Sequence, residues 1–82
     1  DLTDRVAHMA TDDPLPGLAE RVRARRMELN LTREQLAERA GCSYSAIAGV
    51  ENASSLPSLV LAVRLAEALE TTIDHLATGR LQ

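Results

Sequence analysis

Apolar residues recur every three or four positions along most of this chain, which is the pattern of helices with one buried face. Leu18, Val22 and Leu29 fall on one face of the first such segment. The periodicity continues to Leu69 and is interrupted only by short polar breaks. Alanine and leucine are abundant and β-branched residues are sparse, which also favours helix. The pattern predicts an all-α fold of five short helices without any sheet strand.

The polar breaks contain the residues that begin and end helices. Thr32 and Gln35 have the spacing of a capping box, in which the threonine caps a helix and the glutamine reaches back to it. We expect the first helix to run to about Leu29 and the fourth to about Leu69. The other predicted boundaries are Ser43 and Ser58 as caps of the third and fourth helices, Thr71 or Thr72 as the cap of the fifth, and Gly41 and Gly79 as helix ends.

The second and third predicted helices meet at Gly41. Ala37 lies four residues before this glycine, and Ile47 lies six after it. A small residue such as Ala37 lets two helices cross closely, and the tight turn needs a residue that accepts a positive φ. This spacing predicts a helix-turn-helix, a motif whose second helix lies in the major groove of DNA.

Charge is distributed unevenly along the chain. The net charge of −3 by itself argues against a nucleic-acid partner. However, residues 21–26 contain four arginines, whereas residues 1–13 contain four of the twelve acidic residues and the last third contains three. Local charge decides phosphate contact, because salt screens charges beyond about 8–10 Å. The arginines of the first helix therefore support DNA binding.

The first sixteen residues differ from the rest of the chain. Residues 1–16 are acidic and weakly periodic and end in Pro14 and Pro16, so we expect a flexible acidic tail before a domain at residues 17–82. His8 and Met9 leave two alternatives open, a cloning scar before a natural start at Met9 or a genuine arm. Because the cysteine is single and neither a signal peptide nor a membrane span is evident, we expect a cytoplasmic protein.

A set of residues spread from Leu18 to Gly79 matches one family pattern. They are Arg26, Leu31-Thr32, Gln35-Leu36-Ala37, Gly41, Ser43, Ile47, Glu51-Asn52, Pro57-Ser58-Leu59, Leu65-Ala66, Leu69 and Asp74-His75-Leu76. In this register the chain resembles the Cro/C1 (XRE) family of phage and bacterial repressors. The resemblance implies a lambda-repressor-like domain that regulates transcription by binding double-stranded DNA, as a dimer on a palindromic operator.

The resemblance also implies an ion pair between Arg26 and Glu51. Sequence logic agrees, because both residues lie at the edges of apolar stripes and each would be costly to bury alone. The alternative is two unrelated surface charges.

The resemblance implies which residues contact DNA. Thr32 and Arg33, at the start of the second helix, fall at phosphate-contacting positions, and the alternative is ordinary capping beside a solvated arginine. The residues on or near the outward face of the third helix are Ser43, Tyr44, Ser45, Ala46, Gly49 and Asn52. This face is poor in base-reading groups, because no residue on it can make a bidentate contact unless Asn52 reaches a base. The missing side chain at Gly49 permits close approach of a DNA backbone, a thymine methyl or a protein.

Two apolar surfaces are candidates for protein contact. We expect a homodimer interface of Ile73, Leu76 and Leu81, and the alternative is that Ile73 and Leu76 close the monomer core. Val60 and Leu61 occupy positions that are often polar in the family, and they are either core residues or a patch for a protein partner. The competing function is a protein-interaction module with weak or lost DNA binding. A third alternative is the DNA-binding part of a longer protein.

Other chemistry is not indicated by the sequence. His8, His75 and Cys42 are too few and too scattered for a metal site. Asp74 adjoins His75, but no motif places a nucleophile near them. Cys42 is expected to be a small buried group rather than a nucleophile. We therefore expect no enzymatic activity, no cofactor and no metal.

Overall fold

The computed structural model describes residues 15–80 and shows five α-helices within that range. They are α1 (Leu18–Glu28), α2 (Arg33–Ala40), α3 (Tyr44–Glu51), α4 (Leu59–Ala68) and α5 (Ile73–Thr78). No strand occurs between residues 15 and 80, so the predicted all-α fold is confirmed. None of these helices is long and apolar enough to cross a membrane. His8, Met9, Leu81 and most of the predicted tail lie outside the described residues.

Helices α2 to α5 each begin at a hydroxyl side chain. The oxygens of Thr32, Ser43, Ser58 and Thr72 accept hydrogen bonds from the backbone amide three residues later. At α2 the capping box is complete, because the Thr32 amide also donates to Gln35 Oε1 at 2.8 Å. These caps satisfy amides that a helix start leaves without partners. The predicted starts are confirmed, and of the two threonines considered for α5 the second one caps it.

The first four helices end in the same way. After each one, a residue with positive φ turns the chain, and its amide and the following amide donate back to carbonyls of the last helical turn. Only one of the four is glycine, and α5 ends separately at Gly79. The four residues are Asn30, Gly41, Ala53 and Glu70. Alanine and glutamate hold this conformation at a cost of about 1–2 kcal/mol each.

The core of the domain is aliphatic. Helix α1 packs against α3 and α5, α2 against α3 and α4, and α4 against α5. The fully buried apolar side chains are Val22, Leu36, Ile47, Val50, Leu65 and Leu69. Burying each such side chain contributes about 1.5–3 kcal/mol. One carboxylate, that of Glu51, is buried among them with a residue exposure of 2%.

The apolar residues considered for protein contact divide between core and surface. Leu76 is 3% exposed and packs into the core, so it closes the monomer instead of facing a second copy. Ile73, one helical turn earlier, remains exposed. Leu61 packs partly against the core, whereas Val60 is 61% exposed. The core alternative therefore holds for Leu61 and Leu76, and Ile73 and Val60 stay on the surface.

Candidate nucleic-acid interface

The turn between α2 and α3 joins two helices that pack directly against each other. Gly41 has φ 68° and ψ 38°, a left-handed conformation that glycine adopts without strain. Ala37 of α2 and Ile47 of α3 are both buried in the core. Cys42 lies half-buried in the same turn, and burial raises the pKa of its thiol, an effect that the charge of Arg64 partly offsets. Cys42 is thus a neutral packing group at neutral pH.

The first turn of α3 is exposed to solvent. Ser43, Tyr44 and Ser45 all lie on the surface, as does Asn52 just after the helix. The Ser43 hydroxyl accepts from the Ala46 amide at 3.1 Å, so it is engaged in capping. Within residues 15–80, the side chains of Ser45 and Asn52 have no hydrogen-bond partner. Both are available to an external partner.

The surface that approaches Gly49 is the chain's own loop. A Cβ added to Gly49 would lie 2.6 Å from Ser55 Oγ and 3.7 Å from Ser54 Oγ. The amides of Ser54 and Ser55 donate to the Gly49 carbonyl at 2.9 and 3.3 Å. A side chain at this position would therefore have to turn the Ser55 hydroxyl aside, because the loop after α3 folds onto the helix. The contact of Ser55 with Gly49 was not predicted from the sequence, since no local pattern shows a loop returning to a helix.

A buried ion-pair network joins α1, α2 and α3. Arg26 Nε lies 2.7 Å from Glu51 Oε2, and Arg26 Nη2 lies 3.1 Å from Glu51 Oε1. Arg26 Nη1 also donates to the Leu31 carbonyl at 2.9 Å. Arg33 Nε approaches the same carboxylate, at 3.1 Å from Glu51 Oε1. Two guanidinium groups therefore compensate one buried carboxylate, which removes much of the cost of burying it.

Arg33 has a second role that the sequence analysis did not anticipate. Its side chain is 30% exposed, and one edge of it is held by Glu51. Hydrogen bonding to Tyr44 and to Glu51 raises the pKa of Arg33, so the side chain is charged at neutral pH and lies near the first residue of α3. One feature of the sequence could have indicated this role. A buried carboxylate such as that of Glu51 has two oxygens and requires several hydrogen-bond donors, so a second arginine beside it is expected. Glu34, in the first turn of α2, adds an opposing negative charge nearby.

The other arginines of α1 are directed into the domain. Arg21 Nε donates to the Leu76 carbonyl at 2.7 Å, and its Nη2 donates to the Ala77 carbonyl at 2.8 Å. Arg23 and Arg25 donate in the same way to the carbonyls of Glu51 and Leu69, at 2.9 and 2.8 Å. These carbonyls lie at the C-terminal ends of α5, α3 and α4, where cations are favoured. The α1 arginines thus do not form a free basic surface, contrary to the sequence expectation.

The predicted interface residues therefore fall into two groups. Thr32, Ser43, Tyr44, Ser45 and Asn52 remain at the surface, with the hydroxyls of Thr32 and Ser43 used in caps. Arg33 and Gly49 are partly covered by other parts of the chain. The exposed groups carry hydroxyl, phenol and amide functions. The arrangement can form hydrogen bonds and ring contacts but offers little free charge.

Comparison with known proteins agrees with this geometry. A family model for helix-turn-helix proteins matches residues 22–76. An uncharacterized HTH-type transcriptional regulator from Methanothermobacter thermautotrophicus is 48% identical over 48 residues, which cover 58% of this chain and 70% of the relative.

A solved structure shows the same architecture. The crystal structure of the P22 c2 repressor in complex with a synthetic operator, in the presence of Tl⁺, matches with a TM-score of 0.74 and 32% identity. The match covers 77% of this chain and 96% of the repressor chain. The chain therefore belongs to the helix-turn-helix family, of the Cro/C1 (XRE) type that its sequence resembles.

Proposed function

We propose that this protein is a transcriptional regulator that binds a specific sequence of double-stranded DNA through α3. The observation that carries the proposal is the exposed first turn of α3, in a domain that matches a repressor solved in complex with a synthetic operator. In helix-turn-helix proteins this turn lies in the major groove and contacts base edges. The protein acts through binding, and no catalytic step is proposed.

Tyr44 and Ser45 are the residues of α3 placed to meet base edges first. The ring of Tyr44 can pack against a thymine methyl, and the hydroxyl of Ser45 can donate to or accept from any base. Asn52 has the amide that suits adenine. Because none of these side chains is charged, specificity rests on hydrogen bonds and apolar contact.

Phosphate contact is proposed at the start of α2. The free amides at a helix N-terminus attract an anion, and Arg33 beside them supplies one positive charge. Thr32 caps the same end, and its hydroxyl, which accepts a hydrogen bond from the Gln35 amide, can donate its proton to the same phosphate. Glu34 and the net charge of −3 oppose this attraction. We therefore propose that DNA binding has a shallower salt dependence than in proteins that contact six to ten phosphates, whose affinity falls by about 10³–10⁵ between 50 and 200 mM salt.

A dimer on a palindromic operator completes the proposal. One domain of this size contacts only a few base pairs, so a second copy is needed for useful affinity. Two-fold symmetry would set the two α3 helices about 34 Å apart, one turn of DNA. Among the described residues, Ile73 is the exposed member of the proposed interface. Leu81 remains a proposed member that lies outside the described range.

The experiment is a selection of duplexes from a random pool, followed by titration at two salt concentrations. We expect one set of related duplexes to be retained, with Tyr44→Ala changing the preferred bases. Sedimentation at micromolar concentration should show a dimer on the retained duplex. Recovery of random duplexes alone, with no preferred set, would contradict the proposal.

The competing function is a protein-interaction module, and one observation favours it. Helix α4 exposes Leu59 by 76% and also exposes Val60 and Val63, which is unusual for a face with no partner. A chain that retains no duplex in the selection but captures a protein through these residues would be such a module. Leu59→Ser together with Val60→Ser should then abolish the protein contact while the melting temperature stays within a few degrees.

A further inference from the structure

The outward face of α3 has a gap in its middle. Ser45, Gly49 and Asn52 lie four and three residues apart, so they line one face of the helix. Ser45 and Asn52 carry polar side chains at the two ends of this row. Gly49, between them, has no side chain. A helix that reads DNA with this face lacks its central contact.

The loop after α3 folds over this gap. Ala53 turns the chain with φ 58°, and the next two residues return to the helix, where both amides donate to the Gly49 carbonyl. Ser55 Oγ then stands 2.6 Å from where a Cβ of Gly49 would be. A hydroxyl from the loop thus occupies the space that a side chain at position 49 would fill.

The two loop serines differ in what their hydroxyls do. Ser54 Oγ donates to the Gly49 carbonyl at 3.2 Å, so its proton is used within the domain. Ser55 Oγ has no hydrogen-bond partner among residues 15–80. Both serines are exposed. The hydroxyl of Ser55 is therefore held beside α3 and available for a hydrogen bond to an external partner, whereas the hydroxyl proton of Ser54 is already used.

We propose that Ser55 supplies the specificity-determining contact that α3 lacks at position 49, by a hydrogen bond from its hydroxyl to a base edge in the major groove. This inference rests on the proposed DNA binding. A base edge is favoured over a phosphate because the hydroxyl lies above the row formed by Ser45 and Asn52, whereas the proposed phosphate contacts lie at the start of α2. A serine hydroxyl can donate or accept, and because the loop holds this one in place, it favours the base pair that presents the complementary group at that point of the major groove.

The test compares Ser55→Ala with Ser54→Ala on the selected duplex and on random duplexes. Loss of one hydrogen bond should lower the affinity of Ser55→Ala for the selected duplex by about two- to ten-fold, with no change on random DNA. The preference should disappear at one base pair in each half-site. Ser54→Ala should keep the wild-type preference at every position. Melting curves of both variants should match wild type, because both side chains are exposed.

Gly49→Ala gives an independent arm. Its methyl group would collide with Ser55 Oγ and turn that hydroxyl away from its position over α3, so Gly49→Ala should abolish the preference at the same base pair. Adding Ser55→Ala to Gly49→Ala should then cause no further loss on the selected duplex.

The outcomes separate this inference from the proposed function. Equal weakening on selected and random DNA would make Ser55 a phosphate contact and overturn the inference. An unchanged preference in Ser55→Ala would also overturn it while leaving the proposed function intact. A wild-type chain that prefers no duplex would remove both.

Discussion

Helix α1 and the outward face of α3 use polar residues in opposite ways. Four arginines of α1 donate to carbonyls or carboxylates of the domain itself. The face of α3 and its following loop carry no charge, and the hydroxyls of Ser45 and Ser55 and the amide of Asn52 have no partner within residues 15–80. In this protein, the basic cluster stabilises the fold, and the surface proposed for DNA is neutral.

The physical reason for the difference lies in the helix ends. Each short helix leaves its last four carbonyls without partners in the helix. In a small domain with five helices, these carbonyls are a large share of all polar groups, and a guanidinium can satisfy two or three at once. Arg39 and Arg64 repeat the device, donating to the carbonyls of Ala68 and Gly41. Local positive charge in the sequence is therefore a poor guide to the DNA-binding surface here.

The largest expected effect is the loss of the buried carboxylate. Glu51→Ala should lower the free energy of unfolding by about 3 kcal/mol, because Arg26 would lose its main partner in a largely buried site. Urea denaturation measures this loss. The matched control is Glu28→Ala, which removes an exposed carboxylate paired with Arg25 and should cost less than about 0.5 kcal/mol. A loss below about 1 kcal/mol for Glu51→Ala would mean that the network is as weak as a surface ion pair.

The next effect tests an arginine that closes a helix end. Arg21→Ala should cost about 2 kcal/mol, because two charged hydrogen bonds to the end of α5 are lost and their carbonyls stay partly covered. Arg80→Ala is the control, since its ion pair with Asp74 is exposed and long, at 3.9 Å. Equal melting temperatures of the two variants would contradict the role assigned to Arg21.

A smaller effect connects the two regions. Arg33 is paired with Glu51, and Tyr44 is near enough to raise its pKa, so loss of Arg33 should disturb the orientation of Tyr44 as well as remove the proposed phosphate contact. We expect Arg33→Ala and Tyr44→Ala each to weaken the selected duplex by about five-fold or more. The double variant should lose affinity for the selected duplex by a factor about three-fold smaller than the product of the two single-variant factors. Arg33→Ala combined with Asn52→Ala is the control pair and should be additive. If the effects were additive in both pairs, Arg33 would not influence base contacts through Tyr44.

Most features that depend on residues close together in the sequence were predicted, whereas most of those that depend on distant residues were not. The caps at Thr32 and Ser43 and the turn at Gly41 depend on residues within a few positions, so the sequence predicted them. The destination of Arg21 depends on Leu76, which is 55 residues away, and no periodic pattern contains that information. The contact of Ser55 with Gly49 is short in sequence but depends on the positive φ of Ala53, which alanine does not signal.

The smallest expected effect concerns Ala53 itself, at the turn that brings Ser55 onto α3. Ala53→Gly should raise the free energy of unfolding by about 0.5 kcal/mol, because relief of about 1–2 kcal/mol of strain exceeds the extra entropy that glycine adds to the unfolded chain, about 0.5–1 kcal/mol. Base preference should not change, because backbone amides hold Ser55 in place. Gly41→Ala is the opposite control and should destabilise by about 0.5 kcal/mol, since it introduces the same strain and the same change in the entropy of the unfolded chain. A destabilised Ala53→Gly variant, or one with altered base preference, would mean that the side chain of Ala53 contributes to the interface.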